Sequence, residues 1–523
     1  MQSVSKRINQ LNQIKENLIW DIVIIGGGAT GLGTAVDAAS RGFKVLLIEK
    51  YDFAKGTSSK STKLVHGGVR YLANGDIKLV IGALRERGLI FKNAPHISSS
   101  QSFIIPLYST FDKLKYLIGL KLYDWLAGSL RIGNSELLSK EEVISKLPPI
   151  KQTGLKGGIR YYDGQFDDAR LAINLAQTAL ENGATVLNYM EAVEINKDAN
   201  QKITGLTIKD TQSQETYPIQ SKVVINATGI FVDDILKMDS AVHKNLVRPS
   251  QGSHLVIDQK FLGSKDALMI PETSDGRVLF GVPWHGKVLL GTTDIPINDH
   301  QIEPVPLAEE ISFILATAEA YLSPAPKRED VLSIYAGLRP LAAPTEQNGT
   351  STKEISRDHK LIHSDSGLIT ITGGKWTTYR KMAEATVDLA IKISGLQASK
   401  CRTKNLPIHG SSGGEQPANW GYYGNDYPHI QEIIEQNPAL GERLIAGYDF
   451  TVAEVVWACR HEMIEKVEDF LARRCRLLLL DAKASLKAAP IVAQIMEKEL
   501  NKTAEWTQNE IKQYTELANR YIL

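Results

Sequence analysis

Hydrophobic positions along the chain fall into runs with three spacings, and each spacing predicts a different element. Residues 22–25 are continuously apolar, as a strand buried on both faces should be. They lead into a Gly-rich turn, a helix expected over residues 29–41, and a second short apolar run at residues 45–48. Strand and helix patterns alternate over much of residues 20–400, which predicts a parallel sheet. Residues 222–229 and 368–374 read as further strands of that sheet, the second leading into a helix near Thr377. Residues 245–345 differ. Short β-like runs at 254–257, 278–282 and 288–290 are punctuated by Gly and Pro, which predicts an antiparallel sheet. Residues 409–426 are rich in Gly, Ser, Pro and Asn and read as a linker. Residues 451–480 have helical periodicity, with Trp457, Ile464, Val467, Leu471 and Leu478 on one face.

The expected organisation is therefore α/β and discontinuous. A cofactor domain takes residues 20–95, 150–240 and 360–400. A substrate domain takes 96–149 and 241–359, and a C-terminal helical domain takes 401–523. At 523 residues the chain is long enough for two or three domains. A net charge of +1 gives no global attraction for nucleic acid. Cys401, Cys459 and Cys475 show no metal-ligand spacing and read as reduced thiols of a cytoplasmic protein. The polar N-terminus lacks the apolar core of a secretory signal, and no apolar run is long enough to span a bilayer.

The first chemistry lies in residues 21–33, Asp-Ile-Val-Ile-Ile-Gly-Gly-Gly-Ala-Thr-Gly-Leu-Gly. Gly26, Gly28 and Gly31 form the G-x-G-x-x-G of a Rossmann-like dinucleotide site, where backbone must approach a pyrophosphate at a helix N-terminus. Glu49, at the end of the second strand, is placed to accept from ribose hydroxyls. Residues 58–71 are dense in hydroxyls and carry Lys63, His66, Gly67, Gly68, Arg70 and Tyr71. They read either as a loop against the cofactor, offering Arg70 to an anion, or as a solvated polar loop. Ala227 and Gly229 suit a second close approach to the cofactor. Arg70, Arg339 and Arg357 together would make an anion pocket, since guanidinium forks bind phosphate or carboxylate bidentately. His254, at the start of a strand, is a candidate general base or a structural histidine. Gly373, Gly374 and Lys375 open a helix whose N-terminus could face an electron-rich ring.

Together these motifs resemble the FAD-dependent, quinone-linked glycerol-3-phosphate dehydrogenases. The matching stretches are 26–33, 57–71, 226–229, 252–254, 291–294, 335–341 and 373–380, in the family's order, with residues 457–480 similar to its C-terminal helical domain. The resemblance implies a Rossmann-like FAD-binding domain with an inserted substrate domain. It implies cofactor contacts at Gly26, Gly28, Gly31, Glu49, Thr57, Ser58, Lys63, His66, Gly67, Ala227, Gly229, Gly374, Lys375 and Thr377. Glycerol 3-phosphate would be oxidised at C2, with hydride passing to flavin N5. Arg357, with Arg70 or Arg339, would hold the phosphate, and Tyr71 would line the same pocket. Arg339 could instead favour the alkoxide, His254 would be the base or its partner, and Lys375 would sit near the flavin.

The resemblance further implies a membrane quinone as electron acceptor and a peripheral position on the cytoplasmic membrane. A glycerol-3-phosphate oxidase that makes hydrogen peroxide is the alternative, and an amine or amino-acid oxidase of the same fold class is a second rival. Residues 111–132 mix Lys113, Lys115, Lys121 and Arg131 with Leu, Ile, Tyr and Trp125, which suits either a helix in the headgroup region or a core helix. A homodimer is compatible with the pattern. Residues 1–19 receive no role.

Overall fold

The computed structural model describes residues 6–16, 19–69, 72, 75–242, 244–342, 359–411 and 421–523. Among these, two sheets and a C-terminal group of helices account for the architecture.

The first sheet has the strand order His359–His363, Ile369–Gly373, Thr216–Asn226, Ile19–Ile25, Val45–Ile48, Thr185–Leu187. From Ile369–Gly373 to Thr185–Leu187 neighbouring strands run parallel. The continuous apolar run of Ile19–Ile25 explains its central place, because both its faces are covered. Ile22 and Ile24 join a core with helices Ala29–Ser40, Asp168–Glu181 and Tyr379–Ser394. Val23 and Ile25 point the other way, into a core shared with the meander Met190–Lys197 and Ile203–Asp210. The first helix, Lys6–Ile14, covers the exposed edge at Thr185–Leu187. There the Gln10 side chain accepts from the Val186 N–H, and Arg7 donates to the Asn188 carbonyl and to Asp210. Part of the N-terminal segment thus shields a strand edge that would otherwise offer unpaired backbone.

The second sheet is antiparallel except where Ala267–Ile270 runs parallel to Ser98–Leu107. Its longest pairing joins Val247–Asp258 to Val331–Ala342. The strand Gly157–Phe166, expected in the cofactor domain, instead pairs with Ser98–Leu107 and Leu64–Val65 in this sheet. Burial alternates along it only from Ile159 to Asp163. One face of the sheet carries helices Lys140–Lys146 and Ala308–Tyr321. The other shares a continuous core with the C-terminal helices Val452–His461, Ala482–Glu499 and Ala504–Asn519.

Two expectations need correction. Residues 451–480 are not one helix. Val452–His461 ends, a π-helical turn spans Asp469–Arg474, and Leu477–Leu480 follows. Met463 and Arg476 take left-handed backbone conformations, which break helical continuity although the apolar spacing continues. Nor is all of 409–426 a linker. Gly421–Asp426 is a buried helical stretch in which Tyr422 and Tyr423 lie under Arg476 and Arg170, and His409 pairs with Asp426.

Candidate active site

The glycine turn is fixed by crowding. Gly26 has φ of +111°, and a Cβ on Gly31 would collide with the Gly26 carbonyl. Any side chain there would push helix Ala29–Ser40 off the strand. Gly28 caps that helix with no side chain of its own, so the N-terminal amides stay close to the cavity beside them. Glu49 is half-buried and lines the cavity. Burial raises its pKa, although its carboxylate accepts from the Gly27 N–H (2.6 Å) and the Tyr51 N–H (2.9 Å). A carboxylate has about four acceptor positions, so two remain for ribose hydroxyls.

This turn forms one end of a cavity of about 630 Å³. Ala227, Gly229, Gly374, Lys375 and Thr377 line its middle, together with Thr57, Ser58 and His66. Their own contacts hold the lining in register. Ser58 Oγ accepts from the Ala29 N–H (2.9 Å), the Ser58 carbonyl accepts from Trp376 Nε1 (2.8 Å), and the His66 N–H donates to Thr377 Oγ1 (3.1 Å). The far end is built by the second sheet. The register sets His254 opposite both Gly291 and Tyr335, and Ser250 opposite Arg339. Arg339 donates to Thr292 Oγ1 (2.9 Å) and the Thr293 carbonyl (3.1 Å), and it pairs with Asp294 (3.3 Å). His254 lies in the same end of the cavity. Burial, with the charges of Arg339 and Lys63, holds its pKa well below 6.5, so the imidazole is neutral at physiological pH.

Two expected cofactor contacts are placed differently. Lys63 is fully buried and does not line the cavity. Its ammonium donates to the Ser59 carbonyl (2.6 Å) and to Asp168 (2.7 Å), a partner that desolvation of a lysine requires. Gly67 faces the protein, where its N–H donates to the Tyr123 hydroxyl (2.7 Å) and a Cβ would strike Leu84. Its neighbour Gly68 lines the cavity instead. Arg70, Tyr71 and Arg357 lie outside the described residues.

Sequence reasoning missed Thr62 and Arg277. Thr62 lines the cavity with its hydroxyl 2.9 Å from His254 Nε2, and it was hidden in a run of hydroxyl residues with no spacing of its own. Arg277 lines the cavity and donates to the Asp294 carbonyl (2.8 Å) while pairing with Asp275.

A glycine-crowded turn, a helix N-terminus, a half-buried acid at the second strand and a basic far end define an oxidoreductase with a dinucleotide cofactor. The comparisons agree. A family model described as FAD dependent oxidoreductase matches residues 21–380, and one described as C-terminal domain of alpha-glycerophosphate oxidase matches residues 418–509. The mitochondrial glycerol-3-phosphate dehydrogenase of Arabidopsis thaliana is 38% identical over 96% of this chain and 86% of its own length. That of Saccharomyces cerevisiae is 37% identical over 96% of this chain and 90% of its own. The crystal structure of the glycerol-3-phosphate dehydrogenase from Bacillus halodurans, complexed with FAD, superposes with a TM-score of 0.81 at 29% identity, covering 100% of this chain and 98% of that one. The chain belongs to the FAD-dependent glycerol-3-phosphate dehydrogenases, and its cofactor is FAD. L-α-glycerophosphate oxidase from Mycoplasma pneumoniae, at 18% identity and a TM-score of 0.58, shares the fold over 74% of this chain and 98% of its own.

Proposed function

We propose that the enzyme oxidises sn-glycerol 3-phosphate to dihydroxyacetone phosphate and passes the electrons to a membrane quinone from the cytoplasmic face of the membrane. The observation that carries this reading is that His254 and Arg339 line the same cavity as the Gly26 turn, with Arg339 held by Asp294. Oxidation of a secondary alcohol removes a proton from oxygen and a hydride from carbon. His254 is unprotonated and so takes the hydroxyl proton. Arg339 stays charged, favours negative charge on that oxygen, and is held in place by Asp294 and Thr292. The substrate phosphate is assigned to Arg357 with Arg70, from the sequence pattern. The bound flavin supplies the hydride acceptor and releases the electrons in a second half-reaction. Lys375, at the N-cap of the Trp376–Thr378 turn, brings positive charge to the middle of the cavity.

Membrane association is supported by helix Thr110–Ala127. Among the described residues no helix is long and apolar enough to cross a membrane, but this one presents an apolar stripe to solvent. Leu114, Ile118, Leu122 and Trp125 are 65%, 61%, 40% and 74% exposed at helical spacing, with Lys115 and Lys121 exposed beside them. Leu120 and Tyr123 on the opposite face are buried. A helix with that inversion suits a headgroup region.

The test is anaerobic addition of sn-glycerol 3-phosphate to the yellow holoenzyme. Bleaching followed by reoxidation with a short-chain quinone is expected. Persistent colour would refute the reaction, and peroxide formed in proportion to product without quinone would make the enzyme an oxidase.

A further inference from the structure

We infer that Thr62 is a positioning residue that sets the tautomer and orientation of His254, and that the buried Lys63–Asp168 pair holds Thr62 in place. This rests on the reading of His254 as the base.

The imidazole is held on both faces. Tyr335 stacks on one, with centroids 4.8 Å apart and planes 11° off parallel, and Gly291 closes the other, where a Cβ would strike the ring. Only the ring's edge atoms are left to hydrogen-bond. Nε2 meets Thr62 Oγ1 at 2.9 Å, while Nδ1 is buried with no partner among the described residues. A neutral imidazole has one donor and one acceptor nitrogen, so the group at Nε2 decides what Nδ1 can do.

Thr62 is itself held from both sides. The Ser61 N–H and hydroxyl both donate to Asp168 Oδ2 (3.1 and 2.7 Å). Lys63 donates to both oxygens of the same carboxylate, and its φ of +62° is a left-handed conformation that costs about 1 kcal/mol or more and persists only when surroundings enforce it. The Tyr335 hydroxyl donates to the Ser61 carbonyl (3.0 Å), so the ring that stacks on His254 also anchors the residue before Thr62. The Lys63 ammonium lies over the rings of Trp284 (5.0 Å) and Tyr335 (5.7 Å). The contacts form a closed circuit from His254 through Thr62, Lys63, Asp168, Ser61 and Tyr335 back to His254.

The charged and titratable groups facing His254 are Arg339, paired with Asp294, Lys63, paired with Asp168, and Tyr335. Both cations disfavour the imidazolium. Thr62 Oγ1 accepts from Nε2–H, which leaves the Nδ1 lone pair for the substrate proton; the same bond persists in the imidazolium and partly offsets the two cations.

The experiment compares T62V and T62S in the flavin-loaded enzyme. T62V keeps the shape and removes the hydroxyl. Its kcat should fall about 10²-fold with little change in KM. The acid limb of its pH–rate profile should move to lower pH, since the imidazolium loses the acceptor of its Nε2–H and its pKa falls. T62S should restore both. Nitrogen spectra of histidine-labelled protein, with His254 assigned by an H254N difference, should show a changed tautomer in T62V and the native one in T62S. D168N should lower kcat, and D168N/T62V should be no worse than T62V alone. An unchanged pH profile and tautomer in T62V would overturn the inference even if kcat fell. Wild-type flavin bleached by substrate, with T62V identical to it, overturns the inference and leaves the proposed function standing. Wild-type flavin that is never bleached removes both.

Discussion

Replacing Arg170 by methionine should loosen the C-terminal helices from the cofactor part of the molecule. Arg170 is fully buried at the start of helix Asp168–Glu181, and its guanidinium forms a two-pronged pair with Glu462, itself fully desolvated. The guanidinium also lies 4.5 Å from the Tyr423 ring centroid. Removing one partner of a buried pair costs about 3–5 kcal/mol because it strands the other charge. The lost cation–π contact adds about 1 kcal/mol. Arg474 moderates the loss, since its Nε stands 3.5 Å from Glu462 Oε2, and about 4 kcal/mol is the expected total.

The melting temperature then reports which unit unfolds. Unfolding entropy is roughly 2.1 cal/mol/K per residue. For all 523 residues that is about 1.1 kcal/mol/K, and 4 kcal/mol lowers Tm by about 4 °C. If residues 421–523 melt alone, the entropy is about 0.2 kcal/mol/K and Tm falls by nearly 20 °C. Scanning calorimetry, with flavin fluorescence followed in parallel, separates the two outcomes. R170M/E462L, which removes both charges, should recover most of the loss. A loss below about 1 kcal/mol in R170M, or a double variant worse than the single one, would refute the view of this pair as a desolvated clamp.

Two further outcomes are expected. His409 sits between Asp426 (2.9 Å) and Glu181, and although burial opposes its charge, the two carboxylates raise its pKa to about 9. A raised folded-state pKa stabilises below the unfolded value near 6.5 and is lost as pH rises to about 9, so Tm should fall across that window in the wild type and be flatter in H409N. L114E/W125E, placed on the exposed stripe of helix Thr110–Ala127, should abolish sedimentation with anionic phospholipid vesicles. Flavin bleaching by substrate in solution should persist, and undiminished vesicle binding would exclude this face from the membrane contact.

Much of the cofactor end was legible because its logic is local. Strand, glycine turn, helix, strand and acid follow one another within about thirty residues, and each constraint acts between near neighbours in sequence. The far end is assembled by sheet register. Thr62 meets His254 across 192 residues and Lys63 meets Asp168 across 105, distances over which periodicity carries no information. Lys63, expected at the cofactor, instead has its charge consumed inside the protein by Asp168 and the Ser59 carbonyl. The break after Val452–His461 was invisible for a related reason. Apolar spacing continues through Met463 and Arg476, and neither carries the glycine that usually marks a left-handed turn.

The arginines of the C-terminal segment explain why that segment turns where it does. Arg473 and Arg474 both reach Asp52, holding its pKa at about 2 against burial, and Arg476 reaches Asp167 (2.9 Å). Glu462 reaches Arg170, and Glu468 reaches Lys55 (2.5 Å). On the cofactor side every one of these contacts falls in residues 52–55 or 167–170. Those two stretches adjoin or contain residues that hold the cavity lining, with Ser58 against Ala29 and Asp168 against Lys63. An apolar interface would tolerate a slide of one helix over another. Desolvated forked pairs do not, because each displaced guanidinium leaves a buried charge unmatched. The left-handed turn at Arg476 and the interruption after His461 are the backbone geometry needed to aim five buried charges at two short stretches, which apolar periodicity cannot encode.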